Sequence, residues 1–334
     1  MSRIYLIDYL KTISILMVIF THYEWAEKGN PFFTLVIAMA VPIFMIVSGY
    51  NMTMSYTRKT NGTLRELYAP KLLWQRLSRF LLPFIMSYPL EMILLVVVRG
   101  ETFTWQELLY HFYRGGLGPG SYYVPVLVVL LFTFPLIFTA VSRLSYWGVW
   151  VVGAANLIYE ILVVVCEMDR ETYRLLFFRY LLYVALGCYL YFHYRDKKKY
   201  PLPRWALVAM FVIGLGLPLA VYQFGWDPPI FPYWRKTAMP LALYIFPIIY
   251  VLMHYFREKQ IPGVAGRVFV KISQASYHIF LVQMVYYRVF DDIVFPPELG
   301  LPPALVISGN ILISVLVGYG FYILEKLIRK ERIK

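Results

Sequence analysis

The sequence predicts an all-α polytopic membrane protein: a bundle of about ten transmembrane helices with N and C termini both cytoplasmic. Three observations predict it. Of 334 residues, 60% are hydrophobic and only 15% charged, too little charge to cover a water-soluble domain of this size. The apolar residues gather into runs near the ~20-residue length that crosses a hydrocarbon layer of ~30 Å. The Lys and Arg residues between the runs divide unequally between the two sides that the runs define.

The runs cover 4–23, 32–52, 80–98, 122–141, 146–165, 175–192, 205–224, 239–255, 268–287 and 304–324. Of the 32 Lys and Arg residues, 22 fall on the side of the N-terminus, counting Lys271 in the first turn of its run, and eight on the other, with Lys11 and Arg179 deeper inside helices. A missed span would invert every later loop, so an imbalance repeated along the whole chain supports the count and puts the termini inside. The first run carries Asp8 and Lys11 and has no small-residue cleavage signature, which makes it a retained helix and not a signal peptide. Residues 1–334 are read as a single transmembrane unit with no appended soluble domain; the longest other stretches, 53–78, 99–121 and 225–238, are loop-sized. The net charge of +13 is scattered between apolar runs, which argues against nucleic acid as a partner and for the lipid bilayer. Cys166 and Cys188 fall near opposite ends of neighbouring predicted helices, so no disulfide is expected, and no Cys/His spacing suggests a metal.

Ionisable groups inside a span cost several kcal/mol unless they face a cavity or a partner. The first helix carries Asp8, Lys11 and His22. At 100° per residue His22 comes within ~20° of Lys11 and Asp8 within ~40° of His22, so the three share a face, with a rise of ~16 Å from Lys11 to His22. Two readings stand for this face. Lys11 snorkels to headgroups while pairing with Asp8, and His22 bonds a neighbouring helix; or the face lines a cavity for a ligand with an anionic head and a long thin arm. In the second helix Pro42 is expected to break the hydrogen-bond ladder ahead of Ser48, Gly49 and Tyr50. Arg76 and Arg79, at i and i+3 ahead of Pro83, either clamp a phosphate or are ordinary positive-inside flanks.

These residues together resemble acyltransferase family 3, the membrane-bound bacterial glycan O-acyltransferases. The stretch from Arg3 through Asp8 to Lys11 is similar to the family's opening. Lys11, ten intervening residues and His22 match its basic-x10-His motif, with Lys where Arg is usual. The segment from Pro42 to Ser48-Gly49-Tyr50 and the Arg76-x-x-Arg79 pair also match. Looser likenesses are Ser121-Tyr122-Tyr123, without the family's usual Trp, and the segment ending at Gln283, where the family often has His.

The resemblance implies a multi-pass protein of the cytoplasmic (inner) membrane. It would move an acetyl or other short acyl group from cytoplasmic acetyl-CoA, or a related acyl-CoA, to a hydroxyl of a cell-surface or lipid-linked glycan. His22 would serve as general base or acyl relay. Lys11, Arg76 and Arg79, with Ser48 and Tyr50, would hold CoA, Asp8 would orient Lys11, and Tyr122, Tyr123 and Glu91 would face the acceptor. No metal is expected. The competing reading is a transporter or flippase exporting a polysaccharide or polyprenyl-linked saccharide. Such a protein shares the topology but needs no CoA clamp beside an aligned base. Asn156, Glu160, Arg179, His254, His278 and Asn310 are embedded polar groups left without a role.

Overall fold

The computed structural model describes residues 3–25, 30–225, 228–233 and 238–331. Of the basic residues used for orientation, Lys28, Arg235, Lys236, Arg332 and Lys334 lie outside them. The described chain is helical throughout. Its elements are α1 (Tyr5–His22), α2 (Pro31–Leu35), α3 (Ala40–Lys59), α4 (Leu64–Leu67), α5 (Pro70–Arg99), α6 (Trp105–Tyr113), α7 (Tyr123–Leu144) and α8 (Tyr146–Val165). There follow α9 (Arg170–Leu175), α10 (Leu181–Arg195), α11 (Arg204–Phe224), α12 (Ala242–Phe256), α13 (Gly263–Val289), α14 (Asp291–Val294) and α15 (Pro303–Glu331).

Among the described residues nine helical segments are long and apolar enough to cross a membrane. The tenth run, 175–192, becomes a 3-10 turn at Phe177–Tyr180 leading into the fifteen-residue α10. Nearly all of α10 is buried by its neighbours, so its crossing rests on protein and not on lipid contact. The outer surface is apolar, with Trp150, Val97 and Leu316 exposed, while Asn156, Glu160, Arg179, Gln283 and Asn310 are inside. That is the arrangement hydrocarbon imposes on a bundle.

Bonds between loops sort into two faces. On the face of the N-terminus, Leu6 N–H donates to the Arg257 carbonyl (3.4 Å), Ser145 Oγ to the Lys199 carbonyl (2.6 Å) and Arg329 Nη2 to the Ser78 carbonyl (2.9 Å). On the opposite face, Arg288 pairs with Glu101 at 2.7 Å, Arg114 with Glu171 at 2.6 Å, and Arg99 with Asp292. There too lies α6, begun by a Thr104–Glu107 capping box and exposing Trp105 and Tyr113, the amphipathic pattern of a helix lying along an interface.

Proline positions explain the irregular helices. The second predicted span is interrupted at residues 36–39, where a 3-10 turn covers Ile37–Met39, and not at Pro42. Pro42 sits in the first turn of α3, where its missing N–H has no ladder partner to lose. Helix α5 continues through Pro83 and Pro89. The carbonyls left without a ladder donor are those of Arg79 and Ile85, four residues before each proline; the carbonyls beside them take side-chain donors, Tyr277 Oη to Phe80 (3.0 Å) and Ser87 Oγ to Phe84 (3.2 Å). The helix also starts ten residues before the predicted run, because Ala69-Pro70 places Pro at the first helical position.

The most intimate helix pair is α3 with α10. A Cβ on Gly49 would run into the Val184 carbonyl, and one on Gly187 into the Ile46 carbonyl. Two backbones therefore touch at reciprocal glycines, the small-residue packing that holds helices together where lipid supplies no hydrophobic drive. We expect Gly49→Ala or Gly187→Ala to cost about 1–3 kcal/mol through overpacking, read as a lowered melting temperature in detergent. Gly216→Ala, with nothing within 4 Å of its Cβ, should leave that temperature unchanged or raise it.

Candidate active site

A cavity of about 1130 Å³ runs through the bundle. Because α3 ends and α5 begins on the face of the N-terminus, its lining cations Lys59, Arg76 and Arg79 belong to that end, joined by Arg329 from α15. Lys11, Ser48, Asn51 and Tyr277 line the middle. At the opposite end are His22, Gly120, Tyr122, Tyr123, Arg170, Arg174 and Arg179.

His22 closes α1 and is half-buried against the cavity. Its ring tilts at 59° to that of Tyr287, 6.2 Å away, and Tyr287 Oη donates to the Ile19 carbonyl (2.9 Å), one turn back on α1. Gly120 approaches from the other side. It adopts φ +92, and a Cβ there would stand 3.2 Å from His22 Nε2. The position therefore requires glycine for both its left-handed backbone and its clearance.

The loop carrying Gly120 is held from two helices. Glu91, fully enclosed on α5, accepts from Leu117 N–H (3.1 Å) and Gly118 N–H (2.9 Å). Gln283 on α13 donates through Nε2 to the Pro119 carbonyl (3.4 Å). The carboxylate of Glu91 thus serves the loop and does not line the cavity, while Gln283 tethers the same loop from the position where the family often carries His.

At the cation-rich end Arg76 is buried, with its guanidinium 3.6 Å above the Tyr56 ring and Nη2 donating to Ser55 Oγ (3.1 Å). Stacking of this kind, worth about 2 kcal/mol when desolvated, fixes its direction. Arg79, one turn on, is exposed. Lys11 lines the cavity as the shared helix face predicts. Asp8 turns elsewhere: it accepts from Arg3 Nε (2.9 Å) and from Ser273 Oγ (2.7 Å). Among the described residues it forms no ion pair with Lys11. Ser48 lines the cavity, whereas Tyr50 is buried beside it with its ring edge-on to Tyr191 at 5.4 Å. Tyr122 lies under the guanidinium groups of Arg174 (4.5 Å) and Arg179 (5.1 Å), and Tyr123 packs edge-on to Phe280 at 5.1 Å.

Some cavity groups are missed by sequence reasoning or left by it without a role. His278 Nε2 lies 3.2 Å from Glu325, which also pairs with Arg329, and all three line the wall; Glu325 falls one residue beyond the last predicted run. Arg170 and Arg174 read as loop charges until α9 brings them to the cavity. Other embedded polar groups bond to neighbouring helices: Asn156 accepts from Leu182 N–H (3.1 Å), Glu160 from Tyr173 Oη (3.1 Å), and Asn310 from Tyr286 Oη (2.7 Å).

A many-pass helical bundle around a cation-lined passage, with an imidazole on its wall, defines a polytopic membrane protein with a polar interior site. The chain belongs to acyltransferase family 3: the family's model, described as an acyltransferase domain, matches residues 4–323. It is a membrane acyltransferase, and the exporter reading is set aside. No curated protein and no solved structure matches the chain.

Crowding at Gly120 gives a direct check on the passage. Gly120→Ala should lower acyltransferase turnover by about ten- to a hundredfold, since displacement of a reacting group by ~1 Å has that effect. Gly100→Ala has the same positive-φ strain (φ +67) with nothing within 4 Å, and should leave turnover unchanged.

Proposed function

We propose that the protein is an acyl-CoA-dependent O-acyltransferase of the cytoplasmic membrane that acylates a hydroxyl of a cell-surface or lipid-linked glycan, with His22 as general base. The observation that carries this reading is that His22 lines the same cavity as Lys11, Arg76 and Arg79. A single passage joins the cations suited to a nucleotide's phosphates with the one side chain type that exchanges protons freely near neutral pH.

The excess of Lys and Arg on the face of the N-terminus supports a cytoplasmic position for that face, so the donor enters where Arg76 and Arg79 stand. Two guanidinium groups at i and i+3 present a fork to phosphate, Arg76 pre-aimed by Tyr56 and Arg79 free to close. Lys11 adds a positive charge further in. The pantetheine arm then extends along the wall past Ser48 and Phe44 toward His22.

The acceptor arrives from the opposite end. A sugar hydroxyl is a weak nucleophile at neutral pH, so an imidazole nitrogen of His22 takes its proton as the oxygen attacks the thioester carbonyl. A C–O bond forms and the C–S bond breaks. The departing CoA thiolate receives the proton from the imidazolium, which returns His22 to its neutral form. Asp8, bonded to Arg3 and Ser273, anchors the start of α1 against α13 and so fixes the helix that carries both Lys11 and His22.

The test is transfer of labelled acetyl from acetyl-CoA to glycan acceptors by the purified protein in nanodiscs. His22→Ala is expected to abolish acyl-glycan formation with an unchanged melting temperature; persistence of normal transfer would remove His22 from the mechanism. Arg79→Ala is expected to raise KM for acetyl-CoA about tenfold, the loss of roughly one charge-assisted contact, with KM for the acceptor within twofold. An unchanged KM for acetyl-CoA would return Arg79 to the role of a positive-inside flank.

A further inference from the structure

The cavity is cationic at both ends, and the proposed donor accounts for only one of them. Beyond His22 stand Arg170, Arg174 and Arg179, graded from exposed through half-buried to buried. Arg170 and Arg174 lie at i and i+4 of α9, on one face of that turn. Arg174 and Arg179 converge on the ring of Tyr122, so their planes are steadied from below. Glu160 sits in the field of Arg179 and accepts from Tyr173 Oη, while the acidic residues of α9 are turned to other work. Asp169 caps α9 by accepting from Glu171 N–H (2.8 Å) and Thr172 N–H (3.0 Å), and Glu171 reaches across to Arg114 (2.6 Å). Among the described residues no carboxylate comes within ion-pair distance of Arg170 or Arg174. Gathering like charges around a passage lined by apolar walls is unfavourable unless an anion joins them.

Position says which substrate this anion belongs to. Tyr122 follows Gly120 by two residues, a backbone reach of at most ~7 Å, and Gly120 abuts His22. A phosphate of CoA entering past Arg76 and Arg79 would have to pass the reacting carbonyl to reach Arg174. The cluster therefore serves the other substrate, on the side of His22 away from Arg76 and Arg79.

Resting on the acyltransferase reading above, we infer that the acceptor is an anionic saccharide, carrying a phosphate or carboxylate as well as the hydroxyl that is acylated, and that Arg174, reinforced by the charge of Arg179 behind it, binds that group. The planar guanidinium fork matches either oxyanion in a bidentate manner. Arg170, exposed at the mouth, draws the anion in.

The experiment uses the full chain in nanodiscs and matched probes: glucose, glucuronate and glucose 1-phosphate. Binding is followed by calorimetry without donor, and transfer by labelled acetyl-CoA. Wild type should bind at least one of the two anions ten or more times tighter than glucose, with affinity falling as salt rises. Arg174→Ala should erase that preference and raise acceptor KM at least tenfold while leaving acetyl-CoA KM within twofold, and Arg174→Lys should restore part of it. Arg170→Ala, at an exposed site that does not threaten folding, should weaken anion binding several-fold. Equal affinity for glucose and both anions, or an Arg174→Ala defect confined to acetyl-CoA, overturns the inference. If the anions bind as expected but acetyl passes from acetyl-CoA to none of the saccharides, the donor reading fails and the anion site stands.

Discussion

The backbones of α3 and α10 meet at Gly49 and Gly187, and the wall of the cavity depends on that contact. In hydrocarbon, apolar side chains gain nothing by leaving lipid for protein, so helices associate through close packing and polar bonds. With α3 pressed against α10, Ser48, Asn51, Ser55 and Lys59 are held along the passage. The Ser48-Gly49-Tyr50 segment then divides its duties among three directions: serine to the cavity, glycine to a neighbouring backbone, tyrosine to the core against Tyr191. A motif that reads as one functional unit is here largely a structural joint with a single residue facing the site.

How much of this was legible in the sequence follows from which forces act locally. Helix existence was, because a bilayer demands apolar runs of set length, and so was the shared face of Lys11 and His22, because helical periodicity fixes it. The break at residues 36–39 was not: proline announces that a ladder must yield, but the yielding falls on the residues before it, whose carbonyl would clash. Asp8 was expected to orient Lys11 from a spacing of three residues; its bonds to Arg3 and Ser273 depend on α13, 265 residues away along the chain. Glu91 and Gln283 announced themselves as polar groups in apolar runs. Their shared work, holding the loop of Gly120, needed the loop's path. The arginine residues of α9 carried no periodic signal at all, since a six-residue turn is too short to show one.

The electrostatic layout gives the family assignment a physical content. Cations stand at both ends of one passage and an imidazole lies between them, closer to the far end. Aromatic rings support the guanidinium groups: Tyr56 under Arg76, and Tyr122 under Arg174 and Arg179. A ring steadies the plane of a guanidinium without neutralising its charge. The abundance of tyrosine, 30 residues in this chain, is put to that use at both ends.

Helix α5 spans thirty residues, roughly 45 Å, and carries Arg76 and Arg79 near one end and Glu91, the peg of the Gly120 loop, ~18 Å beyond Arg79. Pro83 and Pro89 lie between these two duties. The span that joins the Arg79 end of the cavity to the loop of Gly120 thus lacks two rungs of its ladder in its middle. Any bend at those two prolines would change the spacing between Arg79 and Glu91 while leaving the contacts at each end of the helix as they are.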